Sequence, residues 1–129
     1  IWFVQLVQYP LFAAVPGAPF VPFHNGHVTR ITFIVGPLLL AEAGSALLWA
    51  LSAKDTHLFF RAGGLVLVAV VWGSTYFIQI PLHRALDAGY DAEVIARLVN
   101  TNWIRTVAWS LRGIMVIALA ASFPALLKS

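Results

Sequence analysis

Residues 101–127 read TNWIRTVAWSLRGIMVIALAASFPALL, a stretch in which one asparagine and two arginines stand at the head of a long apolar run. A helix needs roughly 20 apolar residues to cross the hydrocarbon layer of a membrane, and residues 28–51 and 58–82 are runs of the same kind. A shorter apolar run covers residues 1–15, and it begins at Ile1 without an initiator methionine. We therefore expect part of this first helix, or residues before it, to be missing from the sequence.

The composition is that of a membrane protein. Of the 129 residues, 60% are hydrophobic and 10% are charged, and the mean hydropathy is +0.86, whereas soluble domains carry about 25% charged residues. The absence of cysteine excludes disulfides, iron–sulfur clusters, thiolate zinc sites and covalently attached haem. The net charge of +3 comes without a basic cluster interleaved with aromatic residues, which argues against a nucleic-acid partner. We expect an integral membrane protein of a bacterial inner (cytoplasmic) membrane.

The runs predict an all-α fold, an integral membrane up-down bundle of four transmembrane helices in one domain over residues 1–129. The predicted helices cover residues 1–15, 27–51, 58–82 and 101–127. A proline-rich connection precedes the second helix, a short turn at residues 52–57 follows it, and a short amphipathic segment with Asp91 as its N-cap lies between the third and fourth helices. The up-down order places the polar starts of the second and fourth helices and the polar end of the third at one membrane face.

Each predicted helix carries polar residues along one edge, since residues three, four or seven apart share a side of a helix. A charged group at the bilayer centre costs at least about 2.5 to 3.5 kcal/mol, so these edges are expected to face one another. The predicted polar core consists of His24, His27, Glu42, Tyr76, Gln79 and Arg112. Glu42 is the only acid in the predicted helices, and its depth predicts an ion pair with Arg112. A proton-carrying role for Glu42 is the alternative.

Two groups of residues suggest a bound ligand. The pair His24 and His27, with His83 approaching from the third helix, has the spacing of a metal or haem site, or else the three imidazoles cap helices at the membrane boundary. No carboxylate accompanies them, so no metal is predicted. A group of aromatic residues either packs the helices or lines a cavity for a flat lipophilic molecule such as a quinone. This group comprises Phe33, Trp72, Tyr76 and Trp109.

The segment 79–106, QIPLHRALDAGYDAEVIARLVNTNWIRT, carries one short motif at the end of the third predicted helix and a second at the start of the fourth. The matching positions are Pro81, Leu82, Leu86, Asn102, Arg105 and Thr106. Both motifs resemble those of the anthrone-oxygenase-like family of small four-helix membrane proteins, most of which have no assigned function. His83, Thr101 and Trp103 stand where that pattern has asparagine, tryptophan and histidine. The resemblance implies a four-helix membrane fold and, for some relatives, oxygenation of an electron-rich polycyclic substrate without metal or flavin.

Three functions follow from these observations. The first is an accessory or structural subunit of a larger membrane complex, because the chain is small and has little mass outside the predicted helices. The second is a cofactor-free, anthrone-oxygenase-like enzyme acting on a lipophilic aromatic substrate, with His83, Asn102 and Arg105 as its catalytic residues. The third is a haem- or quinone-binding redox module. The expected partners are the lipid bilayer, other membrane protein subunits and a lipophilic small molecule.

Overall fold

The computed structural model describes residues 1–52 and 58–126, and the regular structure of these two stretches is entirely helical, without strands. The elements are a first π turn (Val4–Gln8), a 3-10 turn (Pro10–Ala14), α1 (Phe20–Ser52), α2 (Leu58–Ser74), a second π turn (Thr75–Gln79), α3 (Ile80–Leu86) and α4 (Ala92–Leu126). Three helical rods are long and apolar enough to cross a membrane: Phe20–Leu51, Leu58–Leu86 and Ala92–Ala121. The predicted all-α class is confirmed. The predicted turn at 52–57 falls mainly on residues outside the described ones, as does residue 127.

The amino-terminal segment does not form the α-helix predicted at residues 1–15. A π turn at Val4–Gln8 runs directly into a 3-10 turn at Pro10–Ala14. Pro10 has no backbone N–H to donate to an α-helical ladder, so the chain makes a wide turn before the proline and a tight turn after it. The N–H of Tyr9 accordingly bonds to the carbonyl of Val4 at 3.0 Å. The segment buries Val4, Gln5, Tyr9 and Phe12.

The first long helix begins earlier than predicted. α1 starts at Phe20 rather than at residue 27, with Pro22 in its first turn. Proline is tolerated there because the first N–H groups of a helix have no helical acceptor in any case. The helix also continues past Pro37 to Ser52. The predicted proline-rich connection is therefore shorter than expected: Pro16 and Pro19 lie before the helix, whereas Pro22 lies inside it.

The last helix also begins earlier than predicted, at Ala92 rather than at residue 101. Asp91 is its N-cap, as predicted: one carboxylate oxygen accepts hydrogen bonds from the N–H groups of Glu93 at 2.9 Å and Val94 at 3.0 Å. A side chain of this kind satisfies donors that have no partner inside the helix. The amphipathic segment predicted before this helix is thus the first part of α4.

A second π turn interrupts the rod Leu58–Leu86 just before Pro81. A π turn closes a wider hydrogen-bonded ring than an α turn and so adds a residue to the helix, which changes the side of the helix that later residues face. Tyr76 is consequently 67% exposed, while Gln79 is 1% exposed. The regular α spacing that predicted Tyr76 in the polar core does not hold across this turn, and that prediction is wrong.

Two buried clusters hold the helices together. The larger lies where the amino-terminal segment meets α1, α3 and the start of α4, and contains Val4, Tyr9, Phe12, Phe20, Leu82, Leu86, Ile95 and Leu98. The smaller lies at mid-length and contains Leu39, Val71 and Ala108. Most other large apolar side chains are exposed, for example Phe33 at 78%, which is what helices facing lipid require.

Close packing of α2 on α4 predicts opposite effects for two glycine substitutions. A Cβ at Gly64 would lie 3.2 Å from Nη1 of Arg112, whereas a Cβ at Gly73 would meet nothing within 4 Å. We expect Gly64→Ala to lower the free energy of unfolding by about 1 to 3 kcal/mol through overpacking, because Arg112 is held by Glu42 and by the Gly64 carbonyl and would lose these contacts by moving aside. Gly73→Ala, on the same helix, should raise it by up to about 1 kcal/mol through helix propensity. Unfolding in mixed micelles measures both, and equal effects would contradict the close approach.

Candidate functional site

A cavity of about 390 Å³ lies between α1 and the rod Leu58–Leu86, with α4 and the amino-terminal segment behind it. Its lining is largely apolar, and its volume falls in the range of about 300 to 1,000 Å³ that is usual for ligand pockets. Thr32 and Ile80, on facing helices, line it and are exposed. The cavity therefore opens sideways between two helices that are apolar enough to cross a membrane. Its polar lining residues include Tyr9, Gln79, His83 and Arg105.

The most unusual residue of the cavity is Arg105, which is only 5% exposed. Its Nη1 donates to Oδ1 of Asn102 at 3.4 Å, and its guanidinium lies 5.7 Å from the centre of the Trp109 ring. Its Nε is buried without a hydrogen-bond acceptor, and no carboxylate of the described residues lies within 4.0 Å of it. Buried charges are normally paired with an opposite charge. Arg105 thus places an uncompensated positive charge at the wall of the cavity.

Asn102 lies behind Arg105 rather than on the cavity wall. It is fully buried, and its Nδ2 donates to Oε1 of Gln5 at 2.9 Å. The Thr106 hydroxyl is also 3.2 Å from that oxygen, and Gln5 in turn donates to the carbonyl of Val99 at 3.1 Å. This network ties the amino-terminal segment to α4 and fixes the Asn102 side chain. Asn102 therefore contacts Arg105 from behind and is not among the residues that line the cavity.

On the side of the cavity formed by α3, Tyr9, His24, His83 and Asp87 form a chain of polar contacts. The Tyr9 hydroxyl lies 3.1 Å from Nε2 of His83, and Nδ1 of His83 lies 2.9 Å from Nε2 of His24. Nδ1 of His24 is 3.5 Å from Oδ1 of Asp87. Tyr9, His83 and Asp87 line the cavity, while His24 is fully buried. The predicted meeting of the polar start of α1 with the polar end of α3 is therefore observed.

His27 is next to this chain but is not part of it. Its ring lies 6.0 Å from the rings of both Tyr9 and His83, and its Nε2 is buried without a hydrogen-bond partner. His27 is not among the residues that line the cavity. Within residues 1–52 and 58–126, no three histidine, cysteine or acidic side chains converge in a way that could hold a metal ion.

The predicted ion pair between Glu42 and Arg112 is present. Nε of Arg112 lies 2.8 Å from Oε1 of Glu42, and Nε1 of Trp109 donates to Oε2 at 2.6 Å. Arg112 also donates to the carbonyl of Gly64 at 3.3 Å. Both carboxylate oxygens of Glu42 are thus occupied, and Glu42 does not line the cavity. The arrangement favours the neutralising role of Glu42 over the proton-carrying one.

The predicted residues divide into three groups. Among the predicted catalytic residues, His83 and Arg105 share the cavity and Asn102 supports it from behind. His24, Gln79, Glu42 and Arg112 are buried or nearly so, as expected for a polar core, whereas His27 is only partly buried. Of the aromatic group, only Trp109 lines the cavity, and Phe33, Trp72 and Tyr76 are exposed.

Sequence reasoning missed two residues of the site, Tyr9 and Asp87, and placed Gln5 only on the polar edge of the first predicted helix. The signal for Gln5 was a polar residue within an apolar run. The signal for Tyr9 was its position directly before Pro10, where the π turn ends. Asp87 gave no comparable signal, because its position depends on how α3 ends against α1. Comparisons with protein-family models, curated proteins and solved structures give no match to the chain.

Proposed function

We propose that the chain is a membrane enzyme that binds a lipophilic, weakly acidic aromatic molecule in the cavity and ionises it beside Arg105. The observation that supports this proposal is that the buried guanidinium of Arg105 lies on the wall of an apolar cavity without a carboxylate partner. A neutral lipophile would leave this charge uncompensated, whereas an enolate or phenolate oxygen would pair with it. The planar ring of Trp109, on the same wall, offers a surface for an aromatic substrate.

Tyr9 and His83, which line the same cavity as Arg105, are the candidate base. Tyr9 lines the cavity and its hydroxyl contacts Nε2 of His83, so Tyr9 can accept a proton from the substrate as its own proton passes to the imidazole. Arg105 lies within electrostatic reach of the same hydroxyl, where it stabilises the negative charge as it develops on the substrate oxygen. Formation of a substrate anion requires a base that removes the proton and a fixed cation that stabilises the charge, and both lie around the same apolar cavity.

The reaction that fits this set, and that the family resemblance implies, is oxygenation of an anthrone-like ring system. The enolate gives one electron to dioxygen, and the two radicals combine to a peroxide at the carbon opposite the carbonyl. The peroxide anion takes back the proton that the base removed, and loss of water then leaves a second carbonyl. One oxygen atom remains in the quinone, and the other leaves in water with the two hydrogens of the oxidised carbon.

The proposal also covers how the chain lies in the membrane and how a substrate reaches the cavity. The amino-terminal segment packs along α4 through Gln5 and through a hydrogen bond from Trp2 to Ser110 at 3.1 Å, and it would complete a four-helix transmembrane bundle. A lipophilic substrate would enter from the bilayer through the sideways opening, where Arg84 is exposed beside the cavity. A helical bundle of this kind suits a bacterial cytoplasmic membrane, since outer-membrane spans are β-barrels.

The test uses the full chain in lipid nanodiscs with dithranol, a dihydroxyanthrone, as substrate. We expect dioxygen consumption and quinone formation above the rate in empty nanodiscs, with one dioxygen used for each quinone formed. Quenching of tryptophan fluorescence by the non-oxidisable anthraquinone product should report binding in the cavity. Rates equal to those of empty nanodiscs, together with no saturable quenching, would reject the proposal.

The other two functions stay predictions. An accessory subunit should keep stable partners through extraction in a mild detergent, and recovery of a fully active chain on its own would count against that role. A haem module should show a Soret band after purification from cells supplied with haem.

A further inference from the structure

We propose that the substrate carries a hydrocarbon side chain, alkyl or prenyl, that lies in the end of the cavity beyond Arg105, an inference that rests on the proposed function. This end, called the mid-length end, is lined by Val35, Gly36, Leu39 and Trp109. The acidic oxygen of the ring system pairs with Arg105, and the side chain extends from the rings toward the smaller buried cluster. The substrate is then a lipid-like molecule with an acidic aromatic head.

The cavity is long compared with a fused three-ring system. Val28 and Leu39 both line it, and they lie about 16 Å apart along the axis of α1 at a rise of about 1.5 Å per residue. Trp109 is one helical turn from Arg105 and packs against the smaller buried cluster, which contains Leu39. The cavity therefore continues past Arg105 toward mid-length, and rings that are held at Arg105 leave this end unfilled.

The two ends of the cavity differ in polarity. Tyr9 and His83 line the end near α3, where the Tyr9 hydroxyl and Nε2 of His83 are 3.1 Å apart. The mid-length end is lined by aliphatic carbon and by the ring of Trp109. A Cβ added at Gly36 would meet nothing within 4 Å, so the space beside this residue is open. A ligand that matches both ends has polar atoms at one end and only carbon and hydrogen at the other.

The polar atoms nearest the mid-length end already have partners. The hydroxyls of Thr32 and Thr75 each donate at 2.7 Å to the backbone carbonyl four residues earlier in the chain. Nε1 of Trp109 donates at 2.6 Å to Oε2 of Glu42, whose other carboxylate oxygen pairs with Arg112. Among the described residues, the side chains that line this end thus keep no free hydrogen-bond donor. A polar substituent would give up its hydrogen bonds there without replacement, whereas a hydrocarbon chain has none to lose.

The mid-length end selects a side chain by its shape rather than by added affinity. Lipid tails are as apolar as leucine, so moving a hydrocarbon chain from the bilayer into the cavity changes its free energy little. A chain that fits is therefore accepted, and a chain that collides with the cavity wall is rejected. Ligands are accordingly compared at equal concentration in the bilayer.

In the wild-type chain, binding should show a limit in the length of the side chain. A series of 2-alkylanthraquinones, whose carbonyl oxygen can accept a hydrogen bond from Arg105, is measured by quenching of tryptophan fluorescence in nanodiscs. We expect anthraquinone and 2-pentylanthraquinone to bind with affinities within about threefold of each other. A dodecyl chain should bind at least about 10-fold more weakly, because the buried Leu39 closes this end of the cavity. A chain that leaves through the sideways opening would show no such limit.

Val35→Phe tests whether the side chain lies at the mid-length end. Val35 is partly buried and lines the cavity, so the larger side chain fills this end. We expect 2-pentylanthraquinone to bind at least about 10-fold more weakly, whereas anthraquinone stays within about twofold of its wild-type affinity. Ile34→Phe is the matched control, because Ile34 is 60% exposed and does not line the cavity, and both ligands should bind it as they bind the wild type. Val35→Ala should also bind both ligands, which separates added bulk from loss of the valine.

The outcomes separate this inference from the proposed reaction, because binding is measured without turnover. The inference is overturned if no member of the series gives saturable quenching, if the wild type excludes the pentyl compound, or if the dodecyl compound binds equally well. It is also overturned if Val35→Phe, with wild-type circular dichroism, weakens both ligands equally or neither. If the expected pattern is found but dithranol is not oxidised, the inference stands and the proposed reaction fails. If dithranol is oxidised without this pattern, the reaction stands and the side chain is rejected.

Discussion

Replacing Arg105 with methionine should abolish most of the turnover of dithranol without lowering the stability of the protein. Loss of a donor that stabilises charge in the transition state typically costs about 100- to 1,000-fold in rate. Arg105 is the buried cation of the cavity wall, and the structure describes no second buried arginine among the residues that line it. We therefore expect a fall of at least about 100-fold, measured as quinone formation in nanodiscs.

The stability of the same variant separates a functional arginine from a structural one. Removing Arg105 leaves Oδ1 of Asn102 without the donor that now lies 3.4 Å away, at a cost of about 1 to 3 kcal/mol. It also removes a buried charge whose insertion costs at least about 2.5 to 3.5 kcal/mol. The two terms nearly cancel or favour the variant, so the free energy of unfolding should be unchanged or higher. Unchanged or higher stability is expected when a protein keeps an unpaired buried charge for its function at the expense of stability.

Arg97→Met is the matched control, because Arg97 is also on α4 but is exposed and does not line the cavity. This variant should keep both wild-type turnover and wild-type stability. A large loss of stability in Arg105→Met, with turnover falling only in proportion to the folded fraction, would mean that Arg105 belongs to a structural polar core.

Much of the fold could be predicted because two of its determinants are local in the sequence. These are the length of each apolar run and the free-energy cost of placing a charged side chain inside the membrane. Three apolar runs gave three long helices, and the N-cap at Asp91 is a property of a few neighbouring residues. The ion pair of Glu42 with Arg112 followed from their similar depths, since each residue of a helix advances about 1.5 Å along its axis, and from the fact that Glu42 is the only acid in the predicted helices. Such inferences need no knowledge of how the helices are rotated.

Rotation of the helices is what the sequence did not reveal. The π turn at Thr75–Gln79 adds a residue that regular α spacing does not contain, so Tyr76 faces outward although it shares a predicted edge with Gln79 and His83. The π turn at Val4–Gln8 likewise aims Gln5 and Tyr9 inward. Each π turn is followed within two residues by a proline, and this pairing is a signal that could have been used. π turns often occur at functional sites, and here both carry residues of the cavity or its support.

The second prediction with a large effect concerns the ion pair between Glu42 and Arg112. Glu42→Gln would leave the Arg112 guanidinium, which is 11% exposed, without its counter-charge. Breaking a buried pair from one side typically lowers the free energy of unfolding by about 3 to 5 kcal/mol. Arg112→Gln should be less damaging, because an isolated buried carboxyl group can take up a proton and become neutral.

The double variant shows whether the two side chains interact directly. When both charges are absent, neither remains to be desolvated, so the combined loss should be smaller than the sum of the two single losses. We expect a coupling free energy of about 1 to 3 kcal/mol, which is the range for residues in contact within one ion-pair network. Unfolding in mixed micelles, followed by circular dichroism, gives all four corners of the cycle without relying on Trp109, whose indole contacts Glu42.

Glu93→Gln is the control for the cycle, because Glu93 is an exposed acid in the first turn of α4. An exposed carboxylate near a helix start contributes about 0.3 to 1 kcal/mol, so this variant should lose far less stability than Glu42→Gln. Additive losses for Glu42→Gln and Arg112→Gln would show that the two charges are stabilised separately. In that case Arg112 would be a second buried cation without a direct counter-charge. The lack of a carboxylate partner would then no longer single out Arg105 as the residue that binds the substrate anion.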